Sequence, residues 1–359
     1  MGLDLLQGSD AVAMAALAAD CRFFTGYPML PFTGLLESFA KLMPETGGVC
    51  LNAASEIEAI NMALGAAATG ARAATGSCGQ GVALMQEGVA EAALDELPLV
   101  IFTMGRGQQD YFQCTRGGGW GDYRTLTMAP KDVAEAVEQT QLLFHLADLY
   151  RAPVILYGDY LIGDTHMSVD VSRREFGELP PKDWALDGST GGSGRSRQIW
   201  SWAIGKTNNR GLGPDGQWKK VAAKFADMGR TEARHESYQA EDAEYLVVSF
   251  GTSGPFVDYV VDELRADGVR IGSFRPVTLW PFPEEALRQV SGTCSKVLVF
   301  EVNAGQMVDD VRLSVGDDSK VVQIGGVSID YSGMRQGDLL DAGAIRDAVL
   351  PVIGEGVMA

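Results

Sequence analysis

The sequence has few cysteines and histidines, and neither type is grouped. The five cysteines form no C-x-x-C pair and are Cys21, Cys50, Cys78, Cys114 and Cys294. An odd number of scattered thiols does not fit a disulfide framework and predicts a reducing, cytoplasmic environment. Iron–sulfur clusters need closely grouped thiolates, so none is expected on this chain alone. With only 3 histidines in 359 residues, we expect no histidine-rich metal site and assign no metal ligand.

Positive charge and long apolar runs are also lacking. The chain has 29 Lys and Arg against 47 Asp and Glu, which gives a net charge of −18. Such a chain repels phosphate backbones and anionic lipid, so no nucleic-acid partner is expected. No apolar run reaches the ~20 residues of a membrane span, and no membrane association is predicted. Apolar residues at 46% and charged residues at 21% are typical of globular domains, and the length predicts two of them.

Strand-like and helix-like segments alternate along residues 1–170 and again along residues 241–359. Apolar runs such as 99–102 and 152–157 predict buried strands, and apolar residues at Ile57, Ile60 and Leu64 have helical spacing. Alternation of this kind predicts parallel sheets covered by helices. The expected fold class is therefore α/β, with two parallel-sheet domains.

Residues 171–240 differ from both flanking regions. They contain a glycine- and serine-rich stretch at 188–194 and four of the 6 tryptophans, namely Trp184, Trp200, Trp202 and Trp218. A free linker rarely carries so many tryptophans. We therefore predict an irregular connecting segment that packs on its own chain or on a partner subunit.

Generic motifs identify no reaction, but an ordered set of longer segments does. The sequence has no phosphate-binding P-loop, no G-x-S-x-G and no Gly-Asp-Gly, and the glycine clusters at 76–81 and 251–254 do not have the G-x-G-x-x-G spacing. The segments that occur in order are GYP at 26–28, SEIEAIN at 55–61, LMQEG at 84–88, ELPLVI at 96–101, Arg106, GGGWGDYR at 117–124, RPVTLWPFP at 275–283 and EVNAGQM at 301–307. This succession resembles the α subunit of 2-oxoacid:ferredoxin oxidoreductases, in the branch that acts on 2-oxoisovalerate and 2-oxoglutarate.

The resemblance implies half of a shared active site. That family uses thiamine diphosphate, and residues 1–170 resemble the domain that holds its aminopyrimidine ring. Residues 241–359 resemble the C-terminal domain of transketolase-type enzymes. The resemblance implies a β subunit with the diphosphate and Mg²⁺ site, iron–sulfur clusters on partner chains, a ferredoxin-like acceptor and an (αβ)₂ assembly. The lack of Gly-Asp-Gly in this chain agrees with that division.

Glu56 matches the glutamate with which the family activates thiamine. A carboxylic acid that is hydrogen-bonded to the pyrimidine nitrogen promotes loss of the proton from the reactive carbon of thiamine, provided that water is excluded around the carboxyl. Glu56 follows a predicted strand and begins a predicted helix, at the sheet edge where such sites lie. The alternative is an acid that merely favours the helix dipole. Glu58, on another side of the helix, is the weaker candidate.

Arg106 matches a family arginine that binds the substrate carboxylate, a role that suits the forked guanidinium. The alternative is an ordinary surface arginine. The resemblance further implies that Tyr27 and Pro28 line the cofactor site and that the turn with Cys78 and Gln80 approaches the cofactor. Cys78 is interpreted as a small packing residue rather than a nucleophile.

Two departures from the family pattern concern the substrate. Leu30 stands where the family commonly has a threonine, and the loop after Arg106 is shorter by several residues. An apolar Leu30 favours a bulkier or less polar substrate or altered chemistry.

The expected reaction is oxidative decarboxylation of a 2-oxoacid, with electrons passed to an acceptor and the acyl group transferred to coenzyme A. The sequence leaves two alternatives open. One is a non-oxidative thiamine-dependent carboligase that makes acyloin products, and the other is a scaffold subunit without catalytic function.

Overall fold

The computed structural model of the chain describes residues 2–186, 214–326 and 340–357. Up to residue 170 the strands are β1 (Asp4–Gln7), β2 (Cys21–Gly26), β3 (Val49–Asn52), β4 (Arg72–Ser77), β5 (Leu99–Gly105), β6 (Leu126–Met128), β7 (Pro153–Asp159) and β8 (His166–Val169). The helices are α1 (Gly8–Ala18), α2 (Thr33–Leu42), α3 (Glu56–Ala68), α4 (Gln80–Leu94), α5 (Tyr111–Thr115), α6 (Val133–Tyr150) and α7 (Tyr160–Asp164).

The rest of the described chain continues the alternation. Its elements are α8 (Pro214–Thr231), β9 (His235–Tyr238), β10 (Tyr245–Val248), α9 (Ser253–Ala266), β11 (Ile271–Pro276), β12 (Thr278–Trp280), α10 (Glu284–Ser291), β13 (Lys296–Val299), α11 (Met307–Val315), β14 (Val321–Gln323) and α12 (Ala342–Val357).

Two mainly parallel sheets form the framework, which confirms the α/β fold class. The first sheet has the strand order β12-β6-β7-β5-β4-β2-β3 and the second β14-β13-β10-β11-β9. The antiparallel pairs in these sheets involve β12 and β9 at their edges. The central strands β5 and β7 are buried along their whole length, as expected of a parallel sheet covered by helices.

Two strands cross the boundaries that the sequence suggests. Strand β9 lies within residues 171–240 but pairs with β11 of the second sheet. Strand β12 lies beyond residue 240 but pairs with β6 of the first sheet. The two halves of the chain are thus joined by strand pairing as well as by the connecting segment.

The segment at 171–240 is not irregular throughout, which corrects that part of the prediction. Residues 214–231 form helix α8, whose Lys220 and Lys224 bind the buried carboxylate of Glu96. Burial disfavours the Glu96 carboxylate, but the lysines outweigh burial and lower its pKa to about 2. Trp218 packs edge-on against Trp120, with ring centroids 5.5 Å apart. This helix therefore packs on its own chain; the glycine- and serine-rich stretch lies outside the described residues.

Candidate active site at the edge of the first sheet

Four neighbouring strands direct the predicted site residues to one edge of the first sheet. Strands β3, β2, β4 and β5 are adjacent and parallel. The segments that leave their carboxyl ends contain, respectively, Glu56, the run from Tyr27 to Leu30, the turn at Cys78 and Arg106. The chain goes from β2 to β3 on one side and then to β4 on the other. Such a reversal of strand order opens a crevice at the carboxyl edge, where α/β proteins bind ligands.

The Glu56 carboxyl is buried at the first turn of α3. Its side chain is 3% exposed, and Oε1 accepts a hydrogen bond from the Ser77 hydroxyl at 3.1 Å. Helix α3 does not need Glu56 as a cap, because Ser55 accepts the Glu58 N–H and Glu58 accepts the Ala54 N–H. Burial of a carboxyl that the helix cap does not use favours a ligand-directed role over the dipole interpretation.

Gly81 leaves the space that this carboxyl occupies. A Cβ atom at Gly81 would lie 2.4 Å from Glu56 Oε1 and 2.0 Å from Ser77 Oγ. Both distances are far below van der Waals contact, so any side chain at position 81 would displace the pair. The end of β4 and the start of α4 therefore hold the Glu56 carboxyl in place, and they do so through a hydroxyl and a glycine.

The Arg106 side chain is hydrogen-bonded to a main-chain carbonyl of the segment that follows β2. Its Nε donates to the Leu30 carbonyl oxygen at 3.0 Å, and its Nη2 lies 3.6 Å from Met29 Sδ. The Cys78 thiol donates to the same carbonyl at 3.3 Å. The Leu30 side chain, in contrast, is 56% exposed. The Leu30 carbonyl thus joins the loops that follow β2, β4 and β5.

Cys78 lies within electrostatic range of both predicted catalytic residues. Burial raises the pKa of its thiol to about 11, with smaller effects from the charges of Arg106, Asp110 and Glu56. A thiol with such a pKa stays protonated near neutral pH, which supports packing over nucleophilic chemistry. The remaining predicted residues, Tyr27, Pro28 and Gln80, are exposed at the same edge. Their side chains therefore remain available to a ligand or a partner chain.

Asp110 is a buried residue of this edge that sequence reasoning missed. Its Oδ2 accepts the Gly79 N–H at 2.8 Å and its Oδ1 accepts Gln113 Nε2 at 3.3 Å. Burial raises the pKa of Asp110, opposed by the Gly79 hydrogen bond and by Arg106. A single aspartate in a loop gives no sequence signal that it reaches a turn 31 positions earlier.

The loop after Arg106 is fixed by the second sheet. Gln108 donates to the Phe250 carbonyl and to Ser253 Oγ, each at 3.1 Å, and accepts the Val302 N–H at 2.8 Å. These partners follow β10 and β13 at the carboxyl edge of the second sheet. Asn303 and Gln306, which match the family pattern, bind the backbone of the same loop. These contacts help to hold the segment that follows Arg106.

No group of three or more potential metal-ligating side chains occurs within the described ranges. In those ranges, no helix is both long enough and apolar enough to cross a bilayer.

Each half of the chain matches a known protein family. Residues 14–182 match the thiamine diphosphate-binding domain of pyruvate flavodoxin/ferredoxin oxidoreductases. Residues 243–334 match core domain II of pyruvate:ferredoxin oxidoreductases. The first range includes every predicted site residue, and the second includes most of the second sheet.

Two similar proteins align with this chain over most of its length and most of their own. The ketoisovalerate oxidoreductase subunit VorB of Methanothermobacter marburgensis is 34% identical over 92% of this chain and 95% of its own length. The 2-oxoglutarate synthase subunit KorA of Methanothermobacter thermautotrophicus is 34% identical over 86% of this chain and 89% of its own. The pyruvate synthase subunit PorA of Thermotoga maritima is 28% identical.

Solved structures agree with the fold. The 2-oxoglutarate:ferredoxin oxidoreductase from Magnetococcus marinus superposes with a TM-score of 0.82 at 23% identity, over 98% of this chain and 65% of that chain. A split-gene transketolase superposes with a TM-score of 0.58 at 13% identity, over 96% of this chain and 97% of that chain. The architecture is therefore the fold that these two proteins share. By its relatives, the chain belongs to the 2-oxoacid:ferredoxin oxidoreductase family and is an enzyme subunit of that family.

Proposed function

We propose that this chain contributes the pyrimidine-binding half of a thiamine diphosphate-dependent active site that decarboxylates a 2-oxoacid oxidatively. The observation that carries the proposal is the buried Glu56 carboxyl, which accepts a hydrogen bond from Ser77 and occupies the space that Gly81 leaves by having no side chain. Within this family, a water-excluded carboxyl at that edge fits the pyrimidine nitrogen of thiamine, because ring and acid can share a proton.

The residues of this edge fit distinct parts of the reaction. Bound thiamine diphosphate would supply the nucleophilic carbon and accept the electrons released on loss of CO₂. Glu56 would hold the proton exchanged with the pyrimidine nitrogen, and Tyr27, Pro28, Cys78 and Gln80 would line the cofactor. Arg106 would bind the substrate carboxylate with the N–H groups that Leu30 leaves available.

The surroundings of Arg106 favour a 2-oxoacid with an apolar side chain. Met29 Sδ lies beside the guanidinium, and the residue whose carbonyl binds Arg106 is Leu30, which has an exposed apolar side chain. Arg106 is the single cation in the segments 27–32, 53–56, 78–81 and 106–110. A second substrate carboxylate would have no counter-ion there, and burying an unpaired charge is costly.

The diphosphate and Mg²⁺ site and the iron–sulfur clusters are assigned in this proposal to partner chains. Subunit names among the relatives support a multi-subunit enzyme. An (αβ)₂ assembly with a ferredoxin-like acceptor follows from the family resemblance, and the cytoplasmic location stays a prediction from the scattered thiols. The oxidoreductase and synthase names favour oxidative chemistry over the carboligase and the scaffold.

The test is Glu56→Gln in the complex purified with its partner chains. Removing the exchangeable acid is expected to lower 2-oxoacid-dependent viologen reduction by at least ~100-fold. Glu58→Gln is the matched control: it changes a glutamate on the same helical turn whose carboxylate accepts the local Ala54 N–H, and activity within about twofold of wild type is expected. Full activity of Glu56→Gln would overturn the proposal.

A further inference from the structure

Asp110 connects the two loops that carry the cofactor and substrate functions. Gly79 has φ +54° and ψ −119°, a backbone conformation that residues other than glycine rarely adopt. Its N–H precedes the first turn of α4 and donates to Asp110 Oδ2. The carboxylate therefore fixes the turn between Cys78 and Gln80 and also complements the positive end of the α4 dipole.

The same carboxylate is near enough to Arg106 to interact with its charge, but its own hydrogen bonds are with other donors. Both Asp110 oxygens have other donors, Gly79 N–H and Gln113 Nε2. The described contacts of the Arg106 guanidinium are instead with the Leu30 carbonyl and Met29 Sδ. Asp110 thus offsets the charge of Arg106, and among residues 2–186, 214–326 and 340–357 no carboxylate pairs with the terminal N–H groups of Arg106.

We propose that Asp110 is a positioning residue that holds the Gly79 turn and the Arg106 loop at a fixed separation. It would act through Gly79 and Arg106 and would not touch the reacting atoms. This inference rests on the proposed function for its kinetic consequences, but the hydrogen bond to Gly79 is testable without catalysis.

Two substitutions separate the hydrogen bonds from the charge. Asp110→Asn can keep both bonds, because the Gln113 amide can rotate: its Oε1 has no partner within the part of the chain that the structure describes. Asp110→Ala leaves the Gly79 N–H without an acceptor. Asp132→Asn is the matched control, since Asp132 likewise accepts a backbone N–H, from Glu135 at 2.8 Å, but caps α6.

The experiment measures each variant in the complex with its partner chains. For Asp110→Ala we expect at least ~10-fold lower kcat, ~10-fold weaker thiamine diphosphate binding by calorimetry on the apo complex, and faster amide hydrogen exchange in the peptide that contains Gly79. For Asp110→Asn we expect kcat, cofactor affinity and exchange within about twofold of wild type. We also expect a severalfold lower KM for the 2-oxoacid, because a negative charge near Arg106 is removed.

Three results would overturn the inference. They are wild-type kinetics and exchange in Asp110→Ala, equal losses of kcat in both Asp110 variants, and the same losses in Asp132→Asn. A wild-type complex that neither binds thiamine diphosphate nor consumes a 2-oxoacid would contradict the proposed function instead. In that case the exchange measurement at Gly79 still decides whether Asp110 fixes the turn.

Discussion

The two sheets of this chain use the same edge differently. At the carboxyl edge of the first sheet, Glu56 and Arg106 follow strands that neighbour those followed by the exposed residues Tyr27, Pro28 and Gln80. At the carboxyl edge of the second sheet, Gln108 from the first domain occupies the space between the ends of β10 and β13. The comparison teaches that one α/β domain carries the predicted site residues, whereas the carboxyl edge of the other holds a loop of the first.

The largest expected effect comes from adding a side chain at position 81, in the space that the Glu56 carboxyl occupies at the carboxyl edge of the first sheet. Gly81→Ala would place a methyl group 2.4 Å from Glu56 Oε1, and a displaced carboxyl is expected to lower 2-oxoacid oxidation by ~100-fold. Gly65→Ala is the control, because no atom lies within 4 Å of its added Cβ. If Gly81→Ala keeps more than half of the wild-type rate, the first edge does not depend on this space.

An intermediate effect is expected from loosening the second edge. Gln108→Leu removes three hydrogen bonds to the second domain, two of them to the buried residues Phe250 and Ser253. We expect ~10-fold lower kcat/KM, mainly through a higher KM for the 2-oxoacid, because the Arg106 loop is less well fixed. Steady-state kinetics test this, with the exposed Gln289→Leu as control. A kcat loss at unchanged KM would contradict the anchoring role.

The smallest effect concerns the Leu30 side chain at the first edge. Leu30→Thr exchanges an apolar side chain for a hydroxyl but keeps the carbonyl that binds Arg106. The ratio of kcat/KM for 2-oxoisovalerate to that for pyruvate is expected to fall about fivefold. Competition between the two substrates measures this ratio, and an unchanged ratio would exclude Leu30 from substrate selection.

The fold was predictable because its signals are local. Apolar runs such as 99–102 and the helical spacing of Ile57, Ile60 and Leu64 report burial directly. Helix α8 was missed, since the glycine-, serine- and tryptophan-rich composition upstream dominated the interpretation of 171–240. The helix is stabilised by tertiary contacts, above all Glu96 with Lys220 and Lys224, which no sequence window shows.

The candidate site was predictable where a residue lies within a recognisable motif. Glu56 and Arg106 were identified by their place in an ordered family pattern. Asp110 and Gln108 were not, because their roles depend on partners far away in sequence: Gly79 for Asp110, and Phe250 and Val302 for Gln108. Loop residues of this kind acquire meaning only when the sheets bring their partners together.

The attachment of Arg106 to a main-chain oxygen has an evolutionary consequence. Every amino acid at position 30 supplies the same carbonyl, so a mutation there need not disturb the arginine. The side chain, which faces outward, can then diverge freely among descendants of a common ancestor. Under the proposed roles of Arg106 and Leu30, substrate preference can therefore change at position 30 while the contact that orients Arg106 stays the same.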